Sequence, residues 1–257
     1  MSDLPLIKSS LIALPPSMSA SLVQIAEIRQ PLILLTRHSI REQMAGQGFA
    51  SYALPLTAQG RQLAQAWGRH LLERTGRQVH SCISSPIQRC VDTANLMLAG
   101  QAELLGVPLA TLPTVAQHDL LVEPGSFVHD VQQAGPLFLQ HGPLGFINAF
   151  LREEVAGMKQ PQHGVHDILQ LLYTQSHDAA RPAADGIHLA VSHDTILAAL
   201  LAVMAQQRAI TWADWPEMME GVWLWFEGVD FRQATLHWLW RGVQYQQSIK
   251  DLIGQQT

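Results

Sequence analysis

The sequence predicts an α/β protein: a three-layer α/β/α arrangement with a mostly parallel sheet and an inserted, mainly helical cap. Three observations predict it. Short apolar runs that read as buried strands occur at residues 31–36, 79–84 and 186–192. Each is followed by a segment whose apolar residues recur at helical spacing. Strand and helix therefore alternate, which is the pattern of a layered fold built on parallel strands.

Taken in order, residues 1–30 read as a flexible N-terminal arm. Within it, residues 9–26 lack charge, but Pro15, Pro16 and five serines interrupt them, so the segment fits neither a membrane span nor a secretory leader. The run 31–36 (Pro-Leu-Ile-Leu-Leu-Thr) is apolar and ends in polar residues, as a buried strand does. Thr57 reads as an N-cap. Leu63, Ala66, Trp67, His70 and Leu71 then mark one helix face, and Gly76 closes the segment. After the strand at 79–84, Ser85-Pro86 reads as a cap with proline at the first helical position, launching a helix through about Leu98. After the strand at 186–192, Ile196, Leu197, Leu200, Leu201 and Met204 mark an apolar helix that starts at Asp194. Residues 221–226 and 235–240 alternate like a closing antiparallel pair, with Trp223, Trp225, Trp238 and Trp240 as strand residues.

Residues 100–185 break the rhythm. They hold Gly135-Pro136, Gly142-Pro143 and half of the histidines, and 131–151 contain no Asp, Glu, Lys or Arg. The expectation is an inserted helical cap over the carboxyl edge of the sheet, within one domain spanning 1–257. The uncharged stretch is either a helix buried in the cap's own core or an apolar lid over a leaving-group pocket.

Composition narrows the function. The chain has 257 residues, 47 % of them hydrophobic and 14 % charged, so it is neither a disordered tail nor a coiled coil. A net charge of −5 argues against a generic nucleic-acid binder. An anionic ligand has to be met by a few placed arginines. Two cysteines, Cys82 and Cys90, exclude a disulfide scaffold and a cysteine-rich zinc module, and read as packing residues. The expected location is the cytoplasm, with no membrane span.

Open α/β sheets bind ligands at the carboxyl ends of their strands. The three best strands here end in Arg37-His38, in Ser84-Ser85 with Arg89 one turn on, and in His193-Asp194. Arg41 lies one turn past Arg37. Three arginines suit a phosphate, whose charge they neutralise while fixing its orientation. A histidine among them can attack phosphorus, and a carboxylic acid can protonate a leaving alcohol. Each segment alone has a plainer reading: a solvated loop for Arg37-His38, a surface helix residue for Arg89, a helix cap for Asp194. His118, His129, His141, His163, His166, His177 and His188 invite a metal reading. Only His163 and His166 are a close pair, no carboxylate completes a known site, and the expectation is no metal and no cofactor.

At these residues the sequence resembles the histidine phosphatase superfamily, which also contains the phosphoglycerate mutases. The family's R-H-G-x-R-x-P reads here Arg37-His38-Ser39-Ile40-Arg41-Glu42-Gln43. Leu56-Thr57-Ala58-Gln59-Gly60-Arg61-Gln62 is similar to its L-T-x-x-G-x-x-Q, and the run 84–94 to its S-S-x-x-x-R-x-x-x-T-A. Ser192-His193-Asp194-Thr195 resembles the H-D-T of the acid-phosphatase branch, where the mutase branch has H-G.

The resemblance implies a phosphoglycerate mutase-like fold and a metal-independent phosphomonoesterase. Its nucleophile would be His38, its phosphate ligands Arg37, Arg41, Arg89 and His193, and its proton donor Asp194. Glu123, in Leu121-Val122-Glu123-Pro124, is the alternative acid, near where the mutase branch carries one. The substrate class implied is a small-molecule phosphate ester with an apolar leaving group as one option. A second copy of the chain is an open partner. Two departures stand out. Ser39 replaces glycine, a strained choice if that position needs a positive φ, and Gln43 replaces proline. They support one rival, a non-catalytic module that binds phosphate ligands; the other rival is a mutase-like phosphotransferase, against which Asp194 in place of glycine argues.

Overall fold

The structure, a computed structural model, describes residues 14–43, 52–122, 125–177, 185–252 and 254. In chain order the elements are α1 (Pro16–Ile25), β1 (Leu32–Arg37), α2 (Ala58–Thr75), β2 (Val79–Ser84), α3 (Gln88–Leu105), β3 (Val115–Gln117), α4 (Val131–Leu151), α5 (Pro161–Ser176), β4 (Ile187–Ser192), α6 (Asp194–Met204), β5 (Gly221–Glu227), β6 (Thr235–Trp240), β7 (Val243–Ser248) and α7 (Ile249–Leu252). The strands form one mixed sheet in the order β3-β2-β4-β1-β5-β6-β7. β3, β2, β4 and β1 run parallel, and β5, β6 and β7 continue the sheet antiparallel from β1. This is an α/β fold with helices on both faces of the sheet.

Strand periodicity divides the interior into two cores. In β1, Leu32 and Leu34 face one side with Met18, Trp67 and Met97 of α1, α2 and α3. Ile33 and Leu35 face the other with Phe146, Ile168 and Leu197 of α4, α5 and α6. The first helical layer is held tightly. A Cβ on Gly68 would stand 1.9 Å from the Met97 carbonyl oxygen, and one on Gly100 would stand 2.0 Å from that of Gln65. Only glycine lets α2 and α3 approach that closely.

Four expectations change. The N-terminal arm is structured over 16–25, because Met18, Leu22 and Ile25 are buried against the first core; residues 1–13 lie outside the described residues. The helix expected from Pro86 to about Leu98 begins at Gln88 and runs to Leu105. Its N-cap is Ile87 rather than Ser85, whose hydroxyl accepts from the Ile87 amide at 3.3 Å just ahead of the helix. The 100–185 region is not all insert. Its first part finishes α3 and adds β3 to the parallel edge of the sheet. A seventh strand, β7, pairs with β6 although most of its side chains are exposed, so it lacks the alternation that reveals a half-buried strand.

The uncharged stretch is α4, bent where Gly142 takes φ 65° ahead of Pro143. A residue before proline is pushed out of the helical region, and glycine accommodates this at a positive φ. Among the described residues no helix is long and apolar enough to cross a membrane.

Candidate active site

Register assembles the site. Arg37 of β1 pairs with Ser192 of β4, so the two following residues, His38 and His193, emerge side by side at the same sheet edge. The His38 amide donates to the Ser192 carbonyl at 3.0 Å, and the rings meet edge to face with centroids 5.6 Å apart. Ser84 of β2 pairs with Val191, and the Ser85 amide donates to Val191 O at 2.9 Å, placing Ser85 on the far side of His193. Arg89 enters from the first turn of α3. Arg37, His38, Arg41, Arg89, His193 and Asp194 thus line one pocket of about 70 Å³, with Tyr52, Phe138, Pro143 and Thr195 completing it. That is roughly two to three waters' worth of liquid volume, room for a phosphoryl group and little more.

The loop after β1 is fixed from below. Ser39 Oγ donates to the Gly60 carbonyl at 2.7 Å, and the Ser39 amide donates to Thr93 Oγ1 at 3.1 Å. Thr57 caps α2 by accepting from the Gly60 amide at 2.9 Å, and its own amide donates to Ile40 O. A Cβ on Gly60 would stand 2.1 Å from that same oxygen. Ser39 is not among the positive-φ residues, so the strain feared for a non-glycine there is not present. Its hydroxyl instead ties the loop to α2. Gln43 is exposed.

The hydrogen bonds settle both histidine tautomers. A guanidinium only donates. Arg89 Nε stands 3.0 Å from His38 Nε2, so that nitrogen accepts, and His38 Nδ1–H donates to the Ser39 carbonyl at 2.7 Å. Arg89 Nη2 stands 3.3 Å from His193 Nδ1, which therefore accepts, and His193 Nε2–H donates to Ser85 Oγ at 2.9 Å. Both rings are neutral. Burial, the neighbouring His193, Arg89 and Arg37 hold the His38 imidazole well below its usual range. Burial, then Arg89, push His193 down to about 3 despite the opposing charge of Asp194.

Asp194 opens α6. Its Oδ2 is 2.7 Å from Arg37 Nη2 and accepts from Trp215 Nε1 at 3.3 Å, while Oδ1 accepts from the Thr195 amide. Arg37 Nη1 also donates to the Pro216 carbonyl at 2.7 Å. The loop carrying Trp215 and Pro216 is itself pinned by Arg241, which donates to the Trp215 carbonyl and pairs with the buried Glu220 at 2.8 Å. Arg41 sits at the rim, with Nη1 donating to the Glu42 carbonyl rather than to its carboxylate. Glu123 lies outside the described residues.

The other candidates disperse. His118 caps the short turn Asp119–Leu121, His163 and His166 lie on α5, His177 stacks on Tyr173, and His188 meets Ser81 inside the sheet. Among the described residues no three His, Cys, Asp or Glu side chains gather as a metal-binding group. Cys90 packs beneath the site with Sγ 3.6 Å from His193 Nε2, and burial pushes its thiol up to about 12. Sequence reasoning missed the Ser85–His193 bond and the Trp215–Asp194 bond. Ser85 stood in a recognised motif, whereas Trp215 had no local signal.

A family model of the histidine phosphatase superfamily (branch 1) matches residues 33–134. The match takes in Arg37, His38, Arg41 and Arg89, and the resemblance read from the motifs holds at the level of the superfamily. It is a match to branch 1, and the placement nearer the acid-phosphatase branch is not supported by it. No curated protein matches. Solved structures share the fold. A structure described as mycobacterial hydrolase 2 has 17 % identity, covers 82 % of this chain and 90 % of its own, and superposes with a TM-score of 0.52. A phosphoglycerate mutase from Bacillus anthracis has 16 % identity over 88 % of this chain and 96 % of its own, with a TM-score of 0.50. A mycobacterial glucosyl-3-phosphoglycerate phosphatase has 16 % identity over 83 % of this chain and 99 % of its own, also at 0.50.

Proposed function

We propose that the protein is a histidine phosphatase, a metal-independent phosphomonoesterase that hydrolyses a small-molecule phosphate ester through a phosphohistidine. One observation carries this reading: His38 is buried and neutral, with Nε2 accepting from Arg89 Nε at the wall of a pocket that Arg37, Arg41, Arg89 and His193 also line. Arg37 Nε is also buried without a hydrogen-bond partner among the described residues, a donor that a bound oxyanion would satisfy.

In this reading the arginines take the equatorial oxygens and stabilise their charge, with His193 beside them. Arg89 trades its hydrogen bond to His38 for the phosphoryl oxygens. His38 Nε2 then attacks phosphorus. The bond from phosphorus to the alcohol oxygen breaks with its electron pair on oxygen, and Asp194 supplies the proton. Water, giving that proton back to the carboxylate, then attacks phosphorus and breaks the P–N bond. Inorganic phosphate and neutral His38 result. His38→Ala should lower turnover by a factor on the order of 10⁴ or more, as loss of a nucleophile does, with the circular dichroism spectrum kept. An alkaline quench of wild type during turnover should trap acid-labile phosphate on His38. Label on a serine or aspartate would overturn the mechanism.

The shared fold with a phosphoglycerate mutase favours one second reading, a mutase-like phosphotransferase. Transfer of phosphate from 2,3-bisphosphoglycerate to an acceptor, in place of release to water, is its signature. Asp194 where the mutases carry glycine stands against it. A non-catalytic phosphate-binding module was suggested by Ser39 and Gln43, and the unstrained backbone at Ser39 removes the first of these grounds.

A further inference from the structure

Next to the phosphate pocket lies a second cavity of about 220 Å³, which shares Tyr52 and Phe138 with it. Its walls come from both halves of α4, on either side of the bend at Gly142, from Phe127 and Met158, and from Ala199 on α6. The lining contains no charged side chain, and its one polar side-chain group is the Tyr52 hydroxyl. Three of the large apolar side chains exposed on the surface, Tyr52, Val131 and Leu139, belong to this lining, and Leu139 is 74 % exposed. α6 joins the two pockets. Thr195 lines the first and Ala199 the second, so they stand one helical turn apart on the same face.

We infer that this cavity is the subsite for the leaving alcohol, and that the substrate is the phosphate monoester of an uncharged, mainly hydrocarbon alcohol. The inference rests on the phosphatase reading above and specifies its substrate. A polyhydroxylated or carboxylated alcohol placed here would lose its water and find one hydroxyl in exchange. A hydrocarbon group gains by leaving water and meets a wall of phenylalanines. The capacity sets the size. A dry cavity of about 150 Å³ takes one benzene. This one therefore takes a single ring with a short substituent, or a chain of comparable bulk. The absence of charge from 131–151 is then explained: Ala134, Phe146, Ile147 and Phe150 belong both to the second core and to the wall of the subsite.

The test is a series of n-alkyl phosphates from ethyl to heptyl, run beside glycerol 3-phosphate, glucose 6-phosphate and p-nitrophenyl phosphate. In wild type, kcat/KM should rise about fourfold per methylene until the cavity is filled. The two polar esters should fall below ethyl phosphate. Two variants probe the wall. A Cβ at Gly135 meets no atom within 4 Å, so Gly135→Phe can send its ring into the cavity. Leu139→Asp puts a charge at the exposed mouth, where little packing is lost, and keeps the test decisive if the first variant does not fold. Either should cut the heptyl-to-ethyl ratio at least tenfold.

A flat alkyl series with p-nitrophenyl phosphate still hydrolysed overturns this inference and leaves the phosphatase reading standing. So does a ratio unchanged in both variants, or a Leu139→Asp change that alters only the oligomeric state, which would make the mouth a contact between copies. Failure to hydrolyse any ester overturns the phosphatase reading instead. Calorimetry then still tests the subsite, which requires heptylphosphonate to bind more tightly than ethylphosphonate.

Discussion

Arg89 Nε stands 3.0 Å from His38 Nε2 while the other arm of the same guanidinium stands 3.3 Å from His193 Nδ1. One buried cation thus orients both imidazoles, and both must be neutral to accept from it. The carbonyl of Ser39 and the hydroxyl of Ser85 hold the opposite nitrogens. The site is preorganised around a donor that an incoming phosphoryl group can take over.

Arg89 should therefore matter more than Arg41. Arg89→Ala removes a buried donor to the reacting group and the orienting partner of both rings, and kcat/KM should fall about 10²- to 10³-fold. Arg41→Ala removes one charge at the rim, and the fall should be about tenfold. Steady-state kinetics on p-nitrophenyl phosphate decide it. Equal losses, or a larger one for Arg41, would place the centre of charge elsewhere.

The proton donor is tested by leaving-group dependence. Asp194→Asn should impair an alkyl phosphate strongly and an aryl phosphate little, because a good leaving group departs without a proton. Arg37 Nη2 and Trp215 Nε1 both meet Asp194 Oδ2 and fix where the carboxyl group stands. If Glu123→Gln shows the pattern and Asp194→Asn does not, Glu123 is the acid.

Neutral buried histidines make stability depend on pH. Their native values lie below the unfolded value of about 6.5, and for His193 at about 3. Between those limits the unfolded chain binds protons that the native chain does not, so stability falls as pH falls. Each histidine should contribute about 1.4 kcal/mol per pH unit well inside that window. Urea midpoints at about pH 7 and about pH 5 should differ less in His193→Gln than in wild type. Equal differences would mean that His193 is already protonated in the native state. Long-range proton–nitrogen spectra give an independent check, with His38 as the Nδ1–H and His193 as the Nε2–H tautomer.

Charge stabilisation by arginine also predicts the response to chelators and to vanadate. Activity should survive dialysis against EDTA. Vanadate should inhibit competitively, since it adopts the five-coordinate geometry of the transferring phosphoryl group. Activity lost on chelation and restored by zinc or magnesium would return the histidines of the cap region to consideration as ligands.

The sequence by itself determined the parts of this protein that are written in local periodicity and local chemistry. The apolar runs specified β1, β2 and β4, Thr57 and Gly76 bounded α2, and the motifs marked Arg37, His38, Arg89, His193 and Asp194. α1 escaped notice because Pro15-Pro16 and the serines read as loop although Met18, Leu22 and Ile25 keep helical spacing, and β7 because it lacks alternation. The first is defined by three side chains docking on a distant core, the second by pairing with β6 alone. Only the tertiary structure decided how the marked residues meet. The register of Arg37 against Ser192 brings two histidines together from segments far apart in the chain. It also decided that Trp215 reaches Asp194, and that an uncharged helix walls a cavity beside the phosphate pocket. Those contacts depend on where whole elements pack, and packing is set by the summed burial of many side chains, which no short stretch of sequence carries.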